Sequence, residues 1–282
     1  MKRLFFFSSL IILISFNFFS SQSLYPPPPS VRVSVLSVGQ GDAILITTAD
    51  KKTFLIDGGP DKQLFKELGA VLPWWHRHLD FVLLTHEHDD HLLGLVELSQ
   101  RYRIKKVFYG AVDESNPLIK EWFANLEKDK ISKQKITVAD SFSLGKYCRV
   151  NILAATTNQE VNDQSVVSEL MCGKRKFLFT GDAGKEIEDI LLAQDLSSYD
   201  VLKISHHGSL SASQEKFLKV VKPMAAVISV GKDNKFSHPH PETLKRLEMT
   251  GVNIFRTDQL GTINIFANNK EIYLKKAPSL YH

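Results

Sequence analysis

Three histidines and two aspartates stand within six consecutive residues of this chain, at residues 86–91, directly after the apolar residues 81–84. In an extended loop, residues two apart point the same way, so His86 and His88 can hold one ion. Asp90 and His91 lie at the start of a predicted helix and can face a second ion. Imidazole and carboxylate together suit a borderline divalent metal, and zinc and manganese both fit. The segment therefore predicts a metal centre at the end of a buried strand, rather than a surface histidine cluster without metal.

Two later strand ends can complete such a centre. Asp182 follows the apolar residues 177–179, although a lone aspartate at such a position is most often a helix cap. His206 and His207 follow a third predicted strand, over residues 201–204. At least one of this pair is expected to bind metal, and the other could contact substrate.

Hydrophobic patterning predicts strands that come first in pairs and then alternate with helices, twice over. This order indicates an α/β (α+β) chain folded as an αββα sandwich, with two mixed β-sheets inside and helices outside. The other predicted strands cover residues 31–35, 43–48, 53–56, 107–109, 149–153, 166–171, 226–230, 263–266 and 272–274. The predicted helices cover residues 63–71, 92–98, 118–126, 186–193, 214–221 and 241–251.

The N-terminal residues have the layout of a secretory signal peptide, over residues 1–23. Lys2 and Arg3 precede the apolar residues 4–19, and small polar residues follow at 20–23. An uncleaved membrane anchor is the alternative. Residues 24–30 predict a proline-rich linker and residues 31–276 a single hydrolase domain, either secreted or held in the periplasm or at the cell surface. No other stretch is apolar enough to span a membrane, so no stable membrane channel is expected.

The formal net charge is +4, and it falls to +2 once Lys2 and Arg3 are removed with the signal. This balance gives no broad basic footprint for nucleic acid. Oligomeric state is left open. Cys148 and Cys172 could pair in an oxidising compartment or remain as two buried thiols.

The motifs resemble those of the metallo-β-lactamase superfamily. They are HxHxDH at residues 86–91, TGD at 180–182 and HHGS at 206–209, in the family order. Within the superfamily, the chain resembles the hydrolase domain of ComEC/Rec2-type DNA-uptake proteins. That resemblance covers residues 31–274 and includes VGQGDA at 38–43, LIDGG at 55–59, LKISHHGS at 202–209, HPHP at 238–241, and RTD at 256–258 with GTI at 261–263.

The resemblance implies two divalent metal ions, Zn²⁺ or Mn²⁺, bridged by Asp182. The first ion would also be held by His86 and His88, and the second by Asp90, His91 and His207, although His206 and His207 could exchange roles. The superfamily often has a further histidine ligand between His91 and Asp182, and this sequence has none. That departure argues against β-lactam hydrolysis. Residues expected to support the ligands from behind are Asp57, Asp42 and Asn162.

The resemblance also implies a binuclear metallohydrolase that cleaves a phosphodiester with a hydroxide held between the ions. The first expectation is a secreted nuclease acting on DNA. The alternatives are a phosphodiesterase acting on another substrate, such as a phosphorylcholine-decorated polymer, and a metal-binding module without turnover. Candidate catalytic groups besides the ions are Asp90, His206 and Ser209, and candidate substrate contacts are His238 and His240. Trp74 and Trp75, beside His76 and His78, form either a surface cluster or a stacking wall for bases.

Overall fold

The computed structural model describes residues 31–157 and 160–276. The predicted signal peptide and linker, residues 1–30, therefore lie outside the described residues. Eight described strands form one sheet, in the order β15-β14-β1-β2-β3-β4-β5-β6. Their bounds are β1 Val31–Val35, β2 Ile44–Thr48, β3 Thr53–Ile56, β4 His78–Leu84, β5 Arg103–Tyr109, β6 Ser132–Lys135, β14 Ile263–Ala267 and β15 Ile272–Lys276.

A second sheet of seven described strands has the order β13-β12-β11-β10-β9-β8-β7. Their bounds are β7 Ser141–Leu144, β8 Cys148–Ala154, β9 Val167–Cys172, β10 Arg175–Phe179, β11 Val201–Lys203, β12 Ala225–Ile228 and β13 Asn253–Arg256. Both sheets are mixed: β3 to β6 and β10 to β13 run parallel, and the other neighbouring strands run antiparallel.

Helices cover the outer faces of the two sheets. Side chains from α1 to α3 share a buried apolar cluster with the first sheet, and side chains from α4 to α6 share another with the second. A third cluster fills the space between the sheets. The predicted αββα sandwich is therefore confirmed. The helices are α1 Gln63–Val71, α2 Asp89–Val96, α3 Pro117–Lys128, α4 Lys185–Leu192, α5 Glu215–Val221, α6 Pro241–Met249 and α7 Thr257–Leu260. Among the described helices, none is long and apolar enough to cross a membrane.

Strand direction positions the candidate site. The parallel strands β3, β4, β10 and β11 all end at one edge of the sandwich, and the carboxyl ends of such strands are where ligands bind in open α/β sheets. Asp57, His86, Asp182 and His206 each follow one of these strands within three residues. We call this edge the site edge, and the edge where the same strands begin the opposite edge.

Two features link elements away from the site. Cys148 and Cys172 lie directly opposite each other in β8 and β9 and form a disulfide. Glu188 of α4 is buried, and its carboxylate accepts hydrogen bonds from the backbone N–H groups of Ser213 and Gln214 at the start of α5. Burial raises the pKa of Glu188 to about 7, against the lowering effect of those two hydrogen bonds.

Candidate metal centre

The loops at the site edge take strained backbone conformations that turn polar side chains inward. Asp57, His206 and His207 have φ values of 57°, 47° and 53°, in the left-handed region that residues other than glycine rarely adopt. Gly208 continues this turn, and a Cβ on it would lie 2.5 Å from the Cβ of Pro239. Strain of this kind persists where the surrounding structure enforces it, and it is common at functional sites.

Three buried histidines point the same ring atom at one carboxylate. The Nε2 atoms of His86, His91 and His207 lie 4.0, 3.4 and 3.5 Å from Oδ2 of Asp182. Zinc–nitrogen and zinc–oxygen bonds of about 2.0 to 2.2 Å at tetrahedral angles put neighbouring ligand atoms roughly 3.3 Å apart. The separations of His91 and His207 from Asp182 therefore match those of ligands that share an ion, and that of His86 is longer.

Hydrogen bonds at the other ring nitrogen set the tautomer of two of these histidines. Nδ1 of His207 lies 2.9 Å from the carbonyl oxygen of Ser229, which can only accept, so Nδ1 carries the proton. Nδ1 of His91 lies 2.8 Å from Oδ2 of Asp57 and donates in the same way. In the neutral ring each Nε2 then has a free lone pair, and a partner at Nδ1 is the usual support of a metal-binding histidine.

His86 is held by the same logic through a hydroxyl relay. The Oγ1 atom of Thr85 donates to Asp57 at 2.7 Å, so it is an acceptor for Nδ1 of His86 at 3.0 Å. Asp57 also accepts from the backbone N–H of Thr85 at 2.8 Å. One buried carboxylate thus orients two of the three histidines, which is the role that the sequence assigns to Asp57.

Asp90 closes the second predicted ligand set. Its Oδ2 lies 3.3 Å from Nε2 of His207, and one ligand atom from each of Asp90, His91, Asp182 and His207 lies within 4.8 Å of all the others. Burial alone would raise the pKa of Asp90, but the neighbouring His207 and His91 hold it well below its usual range. Asp90 is therefore ionised at neutral pH and able to act as a metal ligand.

The first predicted set is more open. The ring of His88 lies 4.9 Å from that of His86, centre to centre. His88 occupies the N-cap position of α2, and its side chain makes no capping hydrogen bond. His88 is partly exposed, whereas His86 is fully buried. Asp182 connects the two sets, because its Oδ2 faces both His86 and the second set.

The charges of the centre favour a bound cation. Burial would raise the pKa of Asp182, but His207 and His91 hold it well below its usual range. Burial would lower the pKa of His91, but Asp182 and Asp57 hold it well above its usual value, so metal binding would displace a proton from Nε2. Among the described residues, Nε2 of His86, His91 and His207 and Oδ1 of Asp182 are buried without a hydrogen-bond partner. Such orphaned atoms around ionised carboxylates fit a divalent metal site.

A buried lysine stands behind the bridging aspartate, and sequence reasoning gave it no role. Nζ of Lys203 contacts Oδ2 of Asp42, donates to the carbonyl oxygen of Gly181 at 3.0 Å, and lies 3.8 Å from Oδ1 of Asp182. It is the one charged residue in the apolar run of residues 201–204, which is the signal that could have revealed it. Asp42 thus acts on the centre through Lys203, which it neutralises.

Support at His86 comes from Ser165 rather than from Asn162. Oγ of Ser165 accepts from the backbone N–H of Asp182 at 3.0 Å and lies 3.3 Å from Nδ1 of His86. Oδ1 of Asn162 is buried without a hydrogen-bond partner among the described residues. Asn162 starts the short turn Asn162–Gln164, and that turn delivers Ser165 to the ligands.

The two adjacent histidines differ in surroundings. His207 is buried among the ligands, whereas the His206 side chain is 27% exposed, with its Nε2 3.9 Å from Oδ2 of Asp182. The rings of His206 and His238 lie 5.6 Å apart. Burial and the neighbouring His206 and His207 lower the pKa of His238 to about 4. This geometry favours His207 as the ligand and places His206 and His238 together at the mouth of the centre.

The remaining candidates have other contacts. Nδ1 of His240 accepts from the backbone N–H of Glu242 and caps α6, and Oγ of Ser209 pairs with the hydroxyl of Ser211. Trp74 and Trp75 precede β4 at the opposite edge, about 20 Å from the centre at the rise of an extended strand. They form a surface cluster, and a stacking wall beside the metal ligands is excluded.

Comparison with known proteins agrees with this geometry. Residues 52–230 match the model of the beta-lactamase superfamily domain. The chain belongs to that superfamily. It is 26% identical over 259 residues to ComE operon protein 3 of Bacillus subtilis, a match that covers 85% of this chain and 33% of that protein. It is 29% identical over 269 residues to Recombination protein 2 of Haemophilus influenzae, covering 93% of this chain and 32% of that protein.

These relatives confirm the predicted kinship with ComEC-type proteins, but the chain spans only about a third of their length. Among solved structures, the metallo-beta-lactamase fold protein YhfI from Bacillus subtilis matches with a TM-score of 0.59 at 12% identity. That match covers 87% of this chain and all of YhfI. It shows a shared fold. The chain is thus a hydrolase-fold protein with a set of residues able to bind divalent metal.

Proposed function

We propose that this chain is a binuclear metal-dependent phosphodiesterase, and that its substrate is DNA outside the cytoplasm. The observation that carries the proposal is the convergence of three buried Nε2 atoms on Asp182, with Asp90 beside them. His86, His88 and Asp182 would hold one ion, and Asp90, His91, Asp182 and His207 the other. Bound Zn²⁺ or Mn²⁺ supplies a hydroxide nucleophile at neutral pH and neutralises charge on the phosphodiester.

The chain's own residues prepare the site for this chemistry. Asp57 and the carbonyl oxygen of Ser229 fix the ring orientations of His91 and His207, so that little reorganisation is needed when substrate arrives. His206 is partly exposed at the mouth and can donate a hydrogen bond to a phosphoryl oxygen. His238 beside it offers a second contact. These two residues are the substrate-facing part of the site.

Two observations support DNA as the substrate. The chain matches Recombination protein 2 over 93% of its own length, and the motifs that carry the resemblance to DNA-uptake proteins extend beyond the metal ligands. The N-terminal residues 1–23 have the composition of a secretory signal, which supports action outside the cytoplasm. The small net charge instead favours a substrate other than nucleic acid. The second candidate function is therefore a phosphodiesterase acting on such a substrate, for example a phosphorylcholine-decorated polymer.

Cleavage of single-stranded and duplex DNA, with Mn²⁺ or Zn²⁺ added, tests the proposal. We expect metal-dependent cleavage by the wild-type chain, loss of cleavage in Asp182→Ala, and reduced cleavage in His206→Ala. His240→Ala is the matched control, because this histidine caps α6 and should leave the rate near wild type. A metal-loaded chain that cleaves neither single-stranded nor duplex DNA would refute the proposed nuclease activity. Turnover of a phosphorylcholine diester by the same preparation would then support the second candidate, and turnover of neither would leave a metal-binding module.

A further inference from the structure

Two tryptophans are exposed at the edge of the sandwich opposite the metal centre. Trp74 and Trp75 lie between α1 and β4, with 79% and 67% of their surface exposed, and their rings meet edge to face at 5.6 Å. The third tryptophan, Trp122, is buried in the core. Large apolar side chains that stand together in solvent usually mark a surface that contacts a partner.

The surroundings of this pair are aromatic and basic. Tyr147, in the turn between β7 and β8, is 48% exposed. That turn is fastened to the β2–β3 turn, because the backbone N–H of Lys146 donates to Asp50 at 2.9 Å. Exposed basic residues occupy the segments that flank the pair at this edge. We call the following set the aromatic edge: Trp74, Trp75 and Tyr147 with Lys51, Arg77, Arg103 and Lys146.

Strand direction brings the N-terminal segment to the same edge. β1 is antiparallel to β2, β2 is antiparallel to β3, and β3 is parallel to β4. β1 therefore starts where β4 starts, and Val31 pairs with Thr48 beside the β2–β3 turn. The apolar residues 4–19, with their basic head Lys2 and Arg3, end 12 residues before Val31.

We propose that the aromatic edge docks on the surface of an anionic lipid bilayer. Tryptophan and tyrosine favour the boundary between lipid headgroups and acyl chains, and clustered lysine and arginine are attracted to anionic headgroups. Residues 4–19, if uncleaved as in the membrane-anchor alternative, would hold the domain against the same bilayer at this edge. Because β4 separates the two edges by about 20 Å, the metal centre then faces away from the membrane. Docking through the aromatic edge does not depend on which phosphodiester the metal centre cleaves.

Quenching of tryptophan fluorescence by brominated lipid tests this surface directly. The full chain is reconstituted with vesicles of phosphatidylcholine and phosphatidylglycerol whose acyl chains are either brominated or unmodified. We expect the brominated vesicles to cause a loss of emission from Trp74 and Trp75. The Trp74→Phe/Trp75→Phe chain retains only the buried Trp122, so its emission should be equal in both vesicles. Circular dichroism checks that this variant is folded.

The basic residues of the aromatic edge provide a second test of the proposal. Lys51→Glu/Arg103→Glu changes two exposed side chains and should reduce the quenching, as should vesicles of phosphatidylcholine alone. Flotation shows which chains are bound to the vesicles. If bound wild-type chains give equal tryptophan emission in brominated and unmodified vesicles, the proposal is overturned. Equal quenching with and without phosphatidylglycerol would also overturn it, because the bilayer would not need to be anionic. Quenching by single-stranded DNA in place of brominated lipid would assign the aromatic edge to nucleic acid instead.

Discussion

Replacing Lys203 with methionine should destabilise the metal-free chain and leave its metal-loaded form less affected. The ammonium of Lys203 touches Asp42 and lies 3.8 Å from Asp182, and all three side chains are buried. Methionine preserves most of the side-chain volume and removes the charge. The variant then has two buried carboxylates without their shared cation.

The size of the effect follows from these contacts. With an effective dielectric constant of about 20, two unit charges 3.8 Å apart attract by roughly 4 kcal/mol. Removal of one partner from a buried ion pair usually costs about 3 to 5 kcal/mol, because the other charge remains buried. We expect Lys203→Met to lower the free energy of unfolding of the metal-free chain by that amount. A divalent cation at Asp182 would replace part of the lost charge, so metal should raise the melting temperature more in the variant than in the wild type.

A double-mutant cycle with Asp42→Asn measures the interaction. Urea unfolding of the wild type, both single variants and the double variant gives the coupling free energy between the two residues. If Lys203 acts by neutralising Asp42 and Asp182, the double variant is more stable than the sum of the single losses predicts. Additive losses, or a metal-induced stabilisation no larger in Lys203→Met than in the wild type, would refute the electrostatic role of this lysine.

Three further predictions concern the elements around the site. Asp57→Asn removes the carboxylate that orients His91 and should weaken metal binding about 10- to 100-fold in a chelator competition. Unchanged metal affinity would contradict the orienting role of Asp57. Glu188 has a folded pKa of about 7, above its usual value, so it remains protonated in the folded chain while the unfolded chain ionises. Stability should therefore fall between about pH 4.5 and 7, by up to about 1.4 kcal/mol per pH unit, and urea titrations should show a smaller slope in Glu188→Gln. The disulfide joins residues 24 positions apart in sequence. Cys148→Ser/Cys172→Ser should therefore lower the free energy of unfolding in urea by about 3 kcal/mol, because the unfolded chain gains conformational entropy. If the wild type instead has two free thiols, the double variant should lose almost no stability by this route.

Sequence patterning predicted those strands that are apolar and central. The runs that became β1, β3 and β10 carry alternating or continuous apolar residues, which leave little choice of structure. β6, β7 and β13 were missed, because each is a four-residue strand at a sheet edge and none has a clear apolar pattern. β4 also begins earlier than predicted, at His78, since its exposed first residue lacks the apolar signal.

The candidate ligands could be predicted from the cluster at residues 86–91 and from motifs at two later strand ends. Their supports could not be predicted, because tertiary contacts create them. Ser165 is 79 residues from His86 in sequence, and Lys203 is paired with Asp42 across the two sheets. A serine alone carries no positional signal, and the charge of Lys203 within an apolar run marks that residue without identifying its partner. The different surroundings of His206 and His207 likewise come from a left-handed turn and the carbonyl oxygen of Ser229, which local sequence does not reveal.

The central claim is that Asp182 and the histidines around it bind the metal that hydrolyses a phosphodiester. The most direct test measures turnover of bis(p-nitrophenyl) phosphate against the metal bound per chain, for the wild type and for Asp182→Asn. We predict that wild-type turnover rises with metal content and that Asp182→Asn loses both metal and turnover. A metal-loaded wild-type chain without turnover, or an Asp182→Asn chain that retains both, would contradict the account.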